Sequence, residues 1–193
     1  MPIIGWMLGI KQQNLAERGY RMSKTIPLTR DYVTVVDNDD YEWLNQYKWY
    51  SACGRGGLIY AARNIRRNGK RTMEFMHRII INPAENMEVD HINGNGIDNR
   101  RHNLRVCTHS QNAQNQRPQK RNLSSKYKGV YWRKRRKCWR AQIQNNGKKM
   151  YLGHFDNEEA AAHAYNEAAI RLFGEFAQLN IKGEGQDGQI QTL

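Results

Sequence analysis

Apolar and polar positions alternate with a period of two through much of this chain, and the breaks in that alternation divide it into short elements. Residues 32–36 (Tyr-Val-Thr-Val-Val) are β-branched and aromatic and predict a strand. The run Asp37-Asn38-Asp39-Asp40 that follows can cap a short helix through Leu44 to Tyr47. Residues 58–63 and 71–75 predict two strands flanking a turn at Asn68-Gly69. Residues 89–92 predict a strand that stops at Asn93-Gly94, and residues 104–107 a returning strand. Thr108 and Gln111 have capping-box spacing, so a helix starts there and carries Gln111, Asn112 and Asn115. Further on, residues 127–133, 137–144 and 148–155 predict three strands, with a turn at Asn145-Asn146-Gly147 between the last two. Asp156 and Glu159 again have capping-box spacing. Ala161, Ala164, Tyr165, Ala168, Ala169 and Leu172 then share one helical face, and Gly174 stops the helix. A face this rich in alanine lets a helix lie close on a sheet.

The pattern predicts an α+β protein, and 193 residues leave room for one or two small domains. Residues 1–24 form an N-terminal extension: Trp6, Met7, Leu8 and Ile10 cluster, but without the long apolar core of a signal peptide. Residues 25–116 form one domain and residues 126–180 another. Residues 117–125, polar and basic, read as the linker between them. Residues 181–193, rich in Gly and Gln, read as a disordered tail.

Charge changes the picture. The 31 Lys and Arg against 18 Asp and Glu give a net charge of +13, which calls for a polyanionic partner, and nucleic acid is the usual one. Between Asp98 and Asp156 there are 16 Lys and Arg and no acid, interleaved with Tyr127, Val130, Tyr131, Trp132, Trp139 and Ile143. A folded basic surface fits this better than a solvated tail. No stretch approaches the ~20 apolar residues of a spanning helix, so no membrane role is expected. Cys53, Cys107 and Cys138 lie far apart and form no Cys-x-x-Cys pair, which argues against structural zinc and a disulfide framework. A reducing intracellular setting fits.

The densest chemistry lies in residues 89–105 and just beyond. Asp90 can give an anionic oxygen to a hard divalent cation and Asn112 a neutral one. His91 can take a proton from water near neutral pH. Asn103 can hold the loop or orient His91 by hydrogen bonding. Adjacent strand residues point to opposite faces, so the strand must bend at its end if Asp90 and His91 are to serve one site. His109 could add a ligand from one turn before Asn112, and Asn115 is a register alternative one turn after it. The spacing of His91, Asn103 and Asn112 resembles the ββα-metal site of HNH nucleases, in the variant with Asn as the last motif residue. His77-Arg78, upstream of Val89-Asp90-His91, resembles phage-type homing endonucleases of that group. His77 reads as a structural residue packed against the motif loop, and Arg78 as a phosphate contact. The resemblance covers about residues 25–116. It implies Asp90, His91, Asn103 and Asn112 as catalytic residues, with Asp90 and Asn112 holding one Mg²⁺ or Mn²⁺, and no zinc.

Residues 126–180 resemble the APETALA2/ethylene-response-factor DNA-binding domain through Tyr127, Gly129-Val130, Trp139, Ala141, Ile143, Leu152-Gly153, Phe155, Glu159-Ala160-Ala161, Tyr165-Asn166, Ala168-Ala169, Gly174 and Asn180. The resemblance implies that a three-stranded sheet enters the major groove with a helix behind it. Carried over residue by residue, Lys128, Tyr131, Arg133, Trp139, Gln142, Gln144 and Tyr151 take DNA-facing positions. For Trp139, core packing and DNA contact are both open. Tyr131, Gln142, Gln144 and Tyr151 depart from the plant pattern of Arg, Glu, Arg and Trp, so base preference does not carry over. Arg133 suits guanine and Gln142 or Gln144 adenine. Lys134, Arg135, Arg136 and Lys148 suit phosphates.

Together these readings predict a metal-dependent, site-directed DNA endonuclease of the homing type, nicking one strand per active site. The expected partner is double-stranded DNA. The chain is expected to be monomeric, with no obligate protein partner, in the cytoplasm or nucleoid of a bacterial host if phage-encoded. A DNA-binding regulator on an inactive nuclease fold and a weakly specific nuclease are the alternatives.

Overall fold

Asn68 and Gly69 both take positive φ (51° and 75°), and Arg67 pairs with Lys70 across them. A two-residue turn with both central residues left-handed matches the twist of an antiparallel pair, so this turn sets the register of the central hairpin. Asn146 and Gly147 repeat the device (48° and 77°), joining Asn145 to Lys148. In a computed structural model that describes residues 22–116 and 124–181, these turns sit within an α+β arrangement of several small sheets and few helices. The strands are β1 (Ser23–Pro27), β2 (Val33–Asp37), β3 (Tyr50–Cys53), β4 (Ile59–Arg67), β5 (Lys70–Phe75), β6 (Glu88–His91), β7 (Leu104–Cys107), β8 (Val130–Arg133), β9 (Cys138–Asn145) and β10 (Lys148–Phe155). The helices are α1 (Asn38–Leu44), α2 (Met76–Ile81), α3 (His109–Asn115) and α4 (Glu158–Phe173). Among the described residues the sheets are β1-β2, β3-β4-β5, β6-β7 and β10-β9-β8. No described helix is long and apolar enough to cross a membrane.

The chain divides into two compact units, residues 1–83 with 95–105, and residues 84–94 with 106–193. The division runs through the motif segment. In the first unit Ile26, Val36, Leu44, Ala61, Ala62 and Met76 are buried. The loop 95–105 is stitched to β2. Val35 N donates to Ile97 O (2.9 Å), Asn99 N to Val35 O (2.8 Å) and Thr34 Oγ1 to Ile97 O (2.8 Å). Asn99 Nδ2 donates to Thr34 Oγ1 (2.7 Å). Arg101 grips Asp40 with Nε and Nη2, both at 2.7 Å, and its backbone N donates to Asp37 Oδ2 (2.7 Å). Those two acids were expected to cap α1. Asp37 does stand at the N-cap, but with no side-chain cap bond: Oδ2 accepts from Arg101 N, and Oδ1 is buried without a hydrogen-bond partner. The helix ends at Leu44, short of the expected Tyr47.

In the second unit α4 lies on the β8–β10 sheet. Val130, Ala141, Ala161 and Ala162 form one buried cluster, and Ile143, Tyr165, Ala168, Ala169 and Phe173 another. Asn157, not Asp156, is the N-cap of α4, accepting from Ala160 N at 2.7 Å. Gly174 ends the helix with φ 52°. β1 begins within the expected extension, whose residues 1–21 lie outside the described ones. Residues 117–123 of the expected linker also lie outside them, whereas Ser125 donates to Glu158 Oε1 (2.6 Å) and Ser124 Oγ accepts from Trp132 N (2.9 Å). Residues 182–193 of the expected tail are outside the described residues as well.

Gly129 is the tightest point of this unit. Its φ is 74°, and a Cβ there would meet Gln142 O at 2.3 Å and the Tyr165 ring at 2.5 Å. Gly147 has a similar φ of 77° with nothing within 4 Å. Gly129→Ala therefore carries strain plus collision, and Gly147→Ala strain alone. Thermal melting of the full chain should show Gly129→Ala losing about 3 kcal/mol or more and Gly147→Ala about 1 kcal/mol. Equal shifts would mean that the close approach at Gly129 is absent.

Candidate functional site

Strand alternation sends Glu88 and Asp90 to the same face of β6, and α3 meets that face. α3 starts where Thr108 and Gln111 close a reciprocal capping box. Its residues 109, 112 and 115 are spaced by three and so share a stripe. His109 Nδ1 lies 2.8 Å from Glu88 Oε1, and Asn112 Nδ2 donates to Glu88 Oε2 at 2.6 Å. Asn115 Nδ2 donates to both oxygens of Asp90 (3.0 and 2.9 Å) and to His91 O (3.1 Å). The structure therefore brings Asp90 together with Asn115, the register alternative, and Asn112 together with Glu88. The pairs Glu88–Asn112 and Asp90–Asn115 follow the same order along β6 and α3.

Asp90 and His91 are both buried, at 5% and 6% exposure. The strand ends at His91, and the chain turns there: Gly94 N donates to His91 O (2.8 Å), with Gly94 at φ 71°. The donors near Asp90 and Glu88 are carboxylate oxygens and the amides of Asn112 and Asn115. An amide presents its oxygen after a half-turn of its last torsion. This donor set is hard, and it fits a Mg²⁺-type ion that keeps water and phosphate among its ligands. Among the described residues no three His, Cys, Asp or Glu cluster as a metal site, so amide oxygen would have to share in any coordination.

Asn103 is 4% exposed and donates from Nδ2 to Asp98 O (2.8 Å), tying the 95–105 loop across its base. Asp98 itself takes Arg100 Nε and Nη2, both at 2.7 Å. His77 is buried in α2 and stacks on Phe75 (centroids 5.4 Å apart, 20° between planes), with Tyr60 at 5.7 Å. That is packing, within the first unit. Arg78 lines an open cleft of about 450 Å³ with Arg63, Arg67, Met73 and Phe75. Arg63 is committed there, with Nη2 on Glu74 Oε2 at 2.9 Å and its guanidinium 4.0 Å from the Tyr47 ring.

On the β8–β10 sheet, Trp139, Ala141 and Ile143 face α4, so Arg140, Gln142 and Gln144 face the other way. Trp139 packs against the Val130 and Ala141 cluster and edge-on to Trp132 at 5.2 Å. Of the two uses left open for it, this contact supplies the packing one: it supports the sheet from the helix side. The open face carries Tyr131, Arg133, Gln142, Gln144 and Tyr151. Tyr131 Oη donates to Gln142 Oε1 at 3.1 Å. Arg140 and His154 belong to it too, and both were missed. Arg140 lies over the Tyr151 ring at 4.8 Å and the Tyr131 ring at 5.7 Å. The same alternation in residues 137–144 would have found it. His154 contacts the Tyr151 hydroxyl. Slight desolvation, then the guanidiniums of Arg136, Arg140 and Arg133, push its pKa below the ordinary value. A face that disfavours a histidine's positive charge is one that attracts anions. Lys134, Arg135, Arg136 and Lys148 are exposed around it.

Lys128 lies elsewhere. Its Nζ donates to Gln114 O (2.6 Å) and Gln116 O (2.7 Å) at the end of α3. Burial lowers its pKa to about 8.

Comparison with known proteins fits both halves. The HNH endonuclease family matches residues 82–114, a span that includes Asp90, His91, Asn103 and Asn112, and the AP2 domain family matches residues 125–175. An uncharacterized HNH endonuclease of Acanthamoeba polyphaga mimivirus is 32% identical over 152 residues, 75% of this chain and 73% of that protein. Protein 3.8 of Escherichia phage T7 is 33% identical over 90 residues, 47% of this chain and 73% of that protein. APETALA2-like protein 2 of Oryza sativa subsp. indica is 43% identical over 73 residues, 38% of this chain but only 17% of the plant protein.

The geometry ranks the two helix asparagines. Asn115→Ala leaves a buried carboxylate without its amide and should cost about 1.5–3 kcal/mol in chemical denaturation. Asn112→Ala, facing the more exposed Glu88, should cost under about 1 kcal/mol. The reverse order would place Asn112 at Asp90.

Proposed function

This chain belongs to the HNH endonuclease family, and from that premise we propose that it is a metal-dependent, site-directed DNA endonuclease of the homing type, guided to its target by its AP2 domain. The observation that carries this is the buried Asp90 carboxylate at the end of β6, held by Asn115 of α3, with buried His91 next to it in the chain. His91 accepts the proton of a water that attacks phosphorus, a role worth about 10²–10⁴-fold. The bond from phosphorus to the 3′ oxygen breaks, the 3′ oxygen takes up a proton, and the products are a 5′-phosphate and a 3′-hydroxyl. Asp90, with amide oxygen from Asn112 or Asn115, would hold one Mg²⁺ or Mn²⁺. When bound, such an ion supplies Lewis-acid stabilisation of the charge that builds on the phosphate and the leaving oxygen. Asn103 positions the loop that follows His91 in the chain.

The open face of the β8–β10 sheet does the reading. Arg133 and Arg140 suit guanine, and Gln142 and Gln144 suit adenine. Lys134, Arg135, Arg136 and Lys148 add salt-dependent phosphate contacts. Duplex DNA is the partner, a monomer with one site nicks one strand, and a phage-encoded chain would work in the bacterial cytoplasm. The Asn115–Asp90 contact favours a second reading, a DNA-binding regulator on an inactive nuclease scaffold, since it occupies both carboxylate oxygens.

Conversion of supercoiled plasmid carrying candidate target DNA separates the two. The wild type should nick with Mg²⁺ or Mn²⁺ and stop with EDTA, while His91→Ala should lose at least 100-fold in rate yet bind the DNA equally. Binding without cleavage in the wild type, under every metal, would favour the regulator.

A further inference from the structure

α3 is a short helix whose last carbonyls have no partner within the helix, and it carries Asn112 and Asn115. Two of those carbonyls, Gln114 O and Gln116 O, accept Lys128 Nζ at 2.6 and 2.7 Å. A cation there also faces the negative end of the helix. Lys128 is itself held rigidly within the AP2 domain. Its backbone N donates to Asn180 Oδ1 (2.6 Å), and its carbonyl accepts from Asn180 Nδ2 (2.9 Å). Asn180 N donates in turn to Asn166 Oδ1 on α4 (2.7 Å), and Asn166 Nδ2 to Ile181 O (2.6 Å). The next residue is Gly129, wedged between Gln142 O and the Tyr165 ring. A chain of hydrogen bonds thus runs from α4 through Asn180 and Lys128 to α3. The short 3₁₀ turn Gly174–Phe176 also packs on α3. A lysine reaching for phosphate keeps its ammonium in solvent, as Lys134 and Lys148 are free to do from the exposed turns.

We propose that Lys128 is a positioning residue that locks the nuclease helix α3 onto the AP2 domain, so that the distance from the recognised sequence to the cut bond is set by this contact and not by the tether 117–123. The proposal rests on the nuclease reading for its consequence, but the contact can be tested without cleavage.

The test uses the full chain with Lys128→Met, which keeps the aliphatic stem, and Lys128→Arg, which keeps the charge. Each is made with and without four Gly/Ser residues inserted within 117–123. Hydrogen exchange should show α3 amides losing at least tenfold protection in Lys128→Met, with β8–β10 unchanged and Lys128→Arg restoring most of it. Target Kd and its salt slope should stay within twofold of wild type. Turnover of bound DNA should fall at least tenfold. The insertion should leave the cut position fixed when Lys128 is present and scatter it when Met replaces it.

Three results would overturn the proposal. A weaker Kd with a salt slope smaller by about one, and α3 still protected, would make Lys128 a phosphate contact. Loss of protection across β8–β10 as well would make it a folding residue of the AP2 domain. Unaltered exchange and cut position would mean that the contact holds nothing. If no variant cuts, wild type included, the nuclease reading fails while the exchange result still decides the contact.

Discussion

Buried carboxylates have to be partnered, and in this strongly cationic chain that constraint organises both units. An ionised Asp without partners in a protein interior costs several kcal/mol. Asp37, Asp40 and Asp98 in the first unit, and Asp90 in the second, are each under 6% exposed. Asp40 takes the Arg101 guanidinium, Asp37 the Arg101 amide and Asp98 the Arg100 guanidinium. The two Arg101 pairs stitch the glycine- and asparagine-rich loop to the end of β2 and to α1, and the Arg100 pair braces the loop itself. Without them, a loop of that composition would have little reason to adopt one conformation. Asp90 takes the Asn115 side-chain amide on both its oxygens.

The surplus positive charge goes to the surface, and there it is ordered. One face of the β8–β10 sheet is apolar and covered by α4, and the other carries Arg133, Arg140 and two glutamines with tyrosines between them. The pKa of His154 is lowered by desolvation first and then by the guanidiniums of Arg136, Arg140 and Arg133. Nuclease chemistry needs a buried acid and base at one fixed point, and DNA reading needs an exposed cationic sheet. In the proposed reading the chain meets the two needs with different elements.

Features that depend on local chemistry were legible in the sequence. Asn68-Gly69 and Asn146-Gly147 make the turns their composition implies, Thr108 and Gln111 close a capping box, and Gly174 stops α4. Features that depend on distant partners were not. β1 is a mostly exposed strand without alternation that exists through pairing with β2. α2 lacks a cap bond and holds by burying Met76, His77 and Ile80. Asn112 and Asn115 are equivalent in composition, and only the meeting of β6 and α3 assigns each an acid. The contacts of Trp139 with the helix-side cluster and of Lys128 with the end of α3 were hidden for a similar reason. Family position says which residue is near the DNA side of a fold, but strand alternation and a helix end elsewhere in the chain decide where a given side chain goes. Arg140 and His154 were passed over because the plant pattern did not single them out, although Arg140 stands on the same alternation as Gln142.

The central claim is that one element cuts while another reads. A cleavage map on a long DNA, comparing the wild type with an Arg140→Ala, Gln142→Ala double variant at low salt, tests it most directly. The account predicts a few fixed cut sites for the wild type. For the double variant it predicts metal-dependent nicking that continues, spread over many positions. Fixed sites that persist unchanged in the double variant would contradict it and place the reading outside the β8–β10 face.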